Sequence, residues 1–186
     1  MAQEISIESD KNGSQGRVKG SDSRLNCSSR NDSRRYYNSR DEGQTYSMVW
    51  DFQSAASGEY AAYLQNTSPD KELVVTGIGL NAAVATRFKC AFVTGTASGT
   101  SITPVNLNDT SKSDAAATAV EGASAATGIT GLSEAGVIDF IGVVATGHDE
   151  FRFDDALRLG QNSAIALEAD ETAGGDVWGV IFFYFE

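Results

Sequence analysis

The chain has 186 residues, a formal net charge of -11 and a pI near 4.5, enough for one domain with a sizeable core plus an appendage and tight for two. The charge is uneven: residues 1–45 hold 8 basic and 7 acidic side chains, leaving 6 and 18 for the rest. A body this acidic repels phosphate backbones, which argues against nucleic acid as its partner.

The opening MAQEISIESD has no basic stretch followed by an apolar one, and no run of about 18 apolar residues follows anywhere. Neither secretion by a cleaved leader nor a membrane span is therefore expected. Residues 1–45 are rich in Ser, Asn, Asp, Gly and Arg with hardly any large aliphatic side chain, so they are expected to form an extended or disordered N-terminal arm. Between Arg17 and Arg40 seven basic residues face only Asp22 and Asp32, a local excess of +5. Arg30, Arg34, Arg35 and Arg40, with Tyr36 and Tyr37 among them, are candidate docking residues of an arm that folds on an acidic partner surface. The alternative is a solvated tail.

From residue 46 the pattern changes to short apolar alternations. YSMVWDFQ (46–53), EYAAYLQN (59–66) and ELVVTGIGL (72–80) are strand-length and separated by the turn residues of SAASG and TSPDK. TRFKCAFVTG (86–95) puts Phe88, Cys90 and Phe92 on one face by period two, which leaves Arg87 and Lys89 for solvent or a neighbouring subunit. A Gly-rich hairpin TASG then leads to TSITPVNLN (100–108). Residues 111–128 are rich in Ala, Thr and Ser without a stripe of large apolar residues, and read as extended or as one short helix.

Strand signals resume at GVIDFIGVVAT (136–146), EFRF (150–153), SAIALEAD (163–170) and the closing DVWGVIFFYF (176–185). The last is too short to span a bilayer and apolar enough to be buried on both faces, so a central strand is expected. The linking ETAGG predicts a C-terminal hairpin. About nine strands at regular spacing argue for an all-β antiparallel fold, a sandwich or barrel, with residues 46–186 as the domain and 1–45 as the arm.

Nothing in the pattern carries a reaction, and an enzyme is not expected. His148, the only histidine, lies in GHDE at a predicted turn with no nucleophile elbow to serve. The acidic groups at Asp149/Glu150, Asp154/Asp155 and Asp170/Glu171/Asp176 do not have the spacing of a calcium loop. Cys27 and Cys90 lack paired metal-ligand spacing and read as free thiols, so no metal or cofactor is expected. GTASGTS (95–101) lacks the lysine of a phosphate loop, and TGIGLN (76–81) has only two glycines of a dinucleotide fingerprint. Trp50, Tyr60, Tyr63 and Trp178 are candidates for stacking on sugars, against which period two places Tyr60 and Trp178 inward.

The order YAAYLQNT, ELVVTGIGL, GTASGTSITPVNLN, DALRLGQNSAIALEA and VWGVIFFYFE resembles the jelly-roll virion structural proteins of tailed bacteriophages, over residues 46–186. In that group the Thr-Pro-Val-Asn-Leu-Asn stretch and a terminal Gly-Val-x-Phe-x-Tyr strand recur. The resemblance implies an antiparallel jelly-roll-like β-sandwich, a place on the virion capsid surface after synthesis in the host cytoplasm, and a role as a capsid decoration or cement protein. Its implied partners are the major capsid protein and itself, in a closed homo-oligomer with a trimer favoured, and neither nucleic acid nor membrane. On that reading the basic arm docks on the capsid. A receptor- or glycan-binding module of a head or tail fibre is the alternative.

Overall fold

A computed structural model describes residues 5–8, 15–18, 42–54, 56–111, 113–123, 127–170 and 175–186, the first two segments by their backbone. The chain divides into two compact units, Met1–Ser33 and Arg34–Glu186. In the first, β1 (Ile5–Glu8) pairs antiparallel with β2 (Gln15–Val18), with Ile5 opposite Val18. The alternation of Ile5 and Ile7 suits a strand, although the polar composition around it pointed only to an arm. Arg30, Arg34, Arg35, Tyr36, Tyr37 and Arg40, like Cys27, lie outside the described residues.

The second unit is built from β3 (Thr45–Ser54), β4 (Glu59–Asn66), β5 (Leu73–Ala82), β6 (Thr86–Ser98), β7 (Thr100–Ile102), β8 (Val105–Asn106), β9 (Ala117–Glu121), β10 (Thr130–Val143), β11 (His148–Leu159), β12 (Ala164–Ala169) and β13 (Gly175–Phe185). They form two antiparallel sheets, one in the order β10-β6-β12-β4-β9-β7 and one in the order β11-β5-β13-β3-β8.

The pairing explains the path. β3 pairs with β13, β4 with β12, β5 with β11 and β6 with β10, so first meets last, second meets next to last, and so inward. This is one long antiparallel ribbon rolled up on itself: a jelly roll of eight strands. Residues 99–129, at the tip of the ribbon, add β8 beside β3 in one sheet and β9 with β7 beside β4 in the other. The Ala-rich stretch is thus extended, with β9 in it. The insertion covers the edges that β3 and β4 would otherwise expose.

Two expected hairpins do not form. β6 runs through TASG as far as Ser98, and β7 pairs with β9 at the far edge of the sheet. β12 and β13 flank ETAGG, yet they belong to opposite sheets. Turn residues permit a reversal without dictating which sheet receives the next strand, and a rolled ribbon crosses between sheets at nearly every turn. The closing strand is central as expected, with β3 on one side and β5 on the other.

Between the sheets lies the main core, where Tyr46, Met48, Trp50 and Phe52 of β3 meet Val177, Ile181, Phe183 and Phe185 of β13 and Phe88 of β6. Alternation on β3 puts these residues inside and Val49, Asp51 and Gln53 outside. Gly179 makes room for the indole of Trp50: an added Cβ would lie 2.7 Å from Trp50 Cζ2 and 2.3 Å from the Gly79 carbonyl oxygen. At the β4–β5 corner, buried Asn66 donates from Nδ2 to the carbonyls of Lys71 and Leu159, both at 2.8 Å, and accepts from the Ser68 amide at 2.8 Å. All three bonds fix the chain reversal in a dry site.

A second apolar cluster forms on the opposite face of the six-stranded sheet, from Tyr63, Val93, Val120, Ile129, Ala164 and Ala166. Ala97 and Leu132, from the paired ends of β6 and β10, pack against it. Both faces of the middle of this sheet are therefore covered, which explains why every residue of β12 is buried.

Candidate functional site

Of the aromatic residues singled out for stacking, Trp50 and Tyr63 are core, at 1% and 2% exposure. Tyr60 and Trp178 depart from the expected inward placement. Tyr60 packs against the outer cluster of the six-stranded sheet, and Trp178 projects from the outer face of the five-stranded sheet, 40% exposed. In a strand that is apolar on both faces, alternation gives two phases without saying which is inside. The phase is set by Val177, Ile181 and Phe183, which fill the core.

The outer face of the five-stranded sheet can be read as rows across neighbouring strands. Asp51, Trp178, Asn81 and His148 form one, Val49, Val180, Gly79 and Glu150 the next, and Ser47, Phe182, Gly77 and Arg152 a third. His148 begins β11 rather than sitting in a turn. Its Nδ1 lies 3.2 Å from Asn81 Oδ1. Because Gly77 and Gly79 bring no side chain to the face, a trough of about 290 Å³ opens over β5, with Val180 and Phe182 along one side and His148, Glu150 and Arg152 along the other. Arg152 is ion-paired with Glu150. The pattern TGIGL already held this signal, since glycine inside a strand weakens it and often marks a place where something else approaches closely.

The six-stranded sheet carries an ionic cluster instead. Lys89 Nζ lies 2.7 Å from Glu168 Oε2 and 2.8 Å from Glu134 Oε2, joining β6, β12 and β10. Its side chain is only 14% exposed, so Lys89 serves its own chain rather than solvent or a neighbour as expected. Burial opposes its charged form, but the hydrogen bonds and charges of Glu134 and Glu168 outweigh burial and hold the ammonium's pKa above the ordinary lysine value. Burial, followed by the charge of Glu168, likewise raises the pKa of the Tyr60 hydroxyl. One ammonium paired with carboxylates from two neighbouring strands acts as a clamp across all three. Beside it Arg87 pairs with Asp170 and lies over the Phe140 ring, 4.9 Å from its centroid.

Among the described residues no group of three or more His, Cys, Asp or Glu side chains is placed to hold a metal ion. Of the acidic pairs, Asp154 and Asp155 sit at positive φ, 45° and 63°, where β11 loses register with β5.

Fold and face together define an antiparallel jelly-roll domain that carries a glycine-floored trough and an exposed tryptophan on one sheet. Compared with protein-family models, curated proteins and solved structures, the chain matches none.

Proposed function

We propose that the chain is a bacteriophage virion structural protein of the capsid decoration or cement type, one that binds the shell of the major capsid protein and stabilises it. The observation that carries this reading is the rolled eight-strand topology, the architecture implied by the resemblance of residues 46–186 to phage jelly-roll proteins. Two further features support it. The charge split, with a local +5 between Arg17 and Arg40 against an acidic body, suits an arm that orders on an acidic docking surface while the sandwich projects outward. A jelly roll whose first and last strands pair at the centre of a sheet is a self-contained unit that tolerates display in many copies, where avidity turns weak single contacts into stable attachment. Self-association as a closed trimer belongs to the same proposal.

The test is sedimentation with undecorated shells. Full-length protein is expected to co-sediment at a fixed ratio to the major capsid protein, less so as salt rises. A version lacking residues before Gln44, and an Arg30/Arg34/Arg35/Arg40→Ser variant, are expected to stay in the supernatant. If full-length protein fails to sediment, the decoration reading falls; if the armless version sediments equally well, attachment belongs to the sandwich.

A further inference from the structure

We infer that the outer face of the five-stranded sheet is a binding site for a neutral saccharide, seated in the trough over Gly77 and Gly79 with Trp178 as its stacking platform. The inference goes beyond shell attachment and does not depend on it, since attachment is assigned to the arm and this site to the sandwich.

The trough exists because two outward positions of one strand are glycine. Neither has the positive φ that would make glycine a backbone requirement. At Gly79 a Cβ would lie 3.2 Å from Val180 Cγ1 and 3.3 Å from His148 Cε1, so any side chain there would press on both walls and fill the space between them. Glycine inside a strand costs stability and leaves backbone open to close approach by a ligand. The volume, about 290 Å³, lies just under the lower bound of small-molecule sites, roughly 300 Å³.

The walls specify the ligand chemistry. Val180 and Phe182 offer apolar surface, while Glu150 offers acceptors, Arg152 donors and His148 a ring nitrogen, all across the same groove. A wholly apolar ligand would cover these polar groups without replacing their hydrogen bonds with water, at a cost for each. An anionic ligand would meet Glu150 and Asp154 in a domain of strong negative charge, with Arg152 already paired to Glu150. A neutral sugar ring matches both walls. Its C–H face packs on apolar or aromatic surface, and its rim of hydroxyls can both donate to Glu150 and accept from Arg152.

Trp178 extends the site along the strand. It is two residues from Val180 on the same face, a spacing of about 7 Å, and is flanked by Asn81, whose side chain bonds to His148. A ring stacked on Trp178 therefore has amide and imidazole groups at its edge, while the next ring along the chain reaches the trough. The second tryptophan of the chain, Trp50, is 1% exposed in the core, so a change of tryptophan emission on titration reports Trp178.

The experiment titrates full-length protein with neutral hexasaccharides of glucose, galactose, mannose and N-acetylglucosamine, and with sialic-acid and sulfated oligomers, following tryptophan emission and heat. Binding of at least one neutral oligomer is expected, with none of the charged ones. Trp178→Ala is expected to weaken it by about tenfold or more, equivalent to ~1.4 kcal/mol, with an unchanged melting temperature because the side chain lies outside the core. Gly79→Val should abolish binding. Should it fail to fold, Trp178→Ala and Glu150→Gln still read the site. The inference is overturned if no neutral oligomer binds, if only charged ones do, or if binding survives Trp178→Ala. It is also overturned if the face proves to be a contact between copies, seen as self-association in sedimentation that Trp178→Ala removes. None of these outcomes bears on whether the arm sediments with shells.

Discussion

Tyr46 and Phe183 stack across neighbouring strands, with ring centroids 5.5 Å apart and planes 21° from parallel, at positions directly opposite in the register of β3 and β13. Phe185 meets both rings edge-on, at 5.8 Å from Tyr46 and 6.0 Å from Phe183. The first and last strands of the jelly roll are thus joined by one aromatic cluster in the core. Truncating Phe183 to Ala removes the central ring at a fully buried site, and a loss of about 3–5 kcal/mol is expected. Deleting residues 180–186 removes the hydrogen-bond partner of both β3 and β5 and should abolish cooperative unfolding. Urea denaturation of the two variants checks this; a truncated chain that still melts cooperatively would show that β13 is dispensable.

Gly179→Ala tests close packing within the same sheet. The added methyl would meet both the Trp50 ring and the Gly79 carbonyl oxygen, and the second of these is backbone that side-chain rotation cannot relieve. Overpacking of this kind costs about 1–3 kcal/mol. A Gly179→Ala protein as stable as the parent in urea would mean that β5 and β13 can separate locally at no cost.

The inward phase of β3 was legible because apolar and polar residues alternate in YSMVWDFQ, and the central place of β13 followed from its unbroken apolar run. That same run concealed the outward direction of Trp178, since either phase of it is apolar. Lys89 was legible as an outward residue of β6, but its partners Glu134 and Glu168 come from strands distant in sequence, so its burial is a product of topology. The glycines of TGIGL gave a local sign of the trough. His148 and Glu150, which wall it, reach it only because the ribbon rolls β11 against β5.

Cys90 is fully buried among Phe88, Leu167 and their neighbours, and burial, followed by the charge of Asp139, pushes its thiol pKa up to about 12. The thiolate is the reactive species, so Cys90 should resist a disulfide reagent in the folded protein and react fully after denaturation. A Cys27→Ser variant isolates its signal. Reaction in native buffer at the rate of a free thiol would mean that β6 and β12 open far more often than their burial implies.

Lys89→Met probes the clamp on the six-stranded sheet. Without the ammonium, Glu168, 7% exposed, and Glu134 are left with no cation between them, and breaking a buried pair from one side costs about 3–5 kcal/mol. The pH dependence has a definite sign. In the parent protein the pKa of Lys89 is raised by folding, so its contribution is complete below the unfolded lysine value of about 10.4 and fades only as pH rises through the higher folded value. Between neutrality and about pH 10.4 Lys89 should add no slope to stability, with a decline in more alkaline solution. The Lys89→Met variant should lack this contribution at every pH. Adding Glu168→Gln to it should restore part of the loss at neutral pH, because the amide removes the repulsion while keeping the shape. Urea midpoints across the pH range for the three proteins decide the matter. A loss below about 1 kcal/mol for Lys89→Met, the range of exposed ion pairs, would show that water reaches the clamp and screens it.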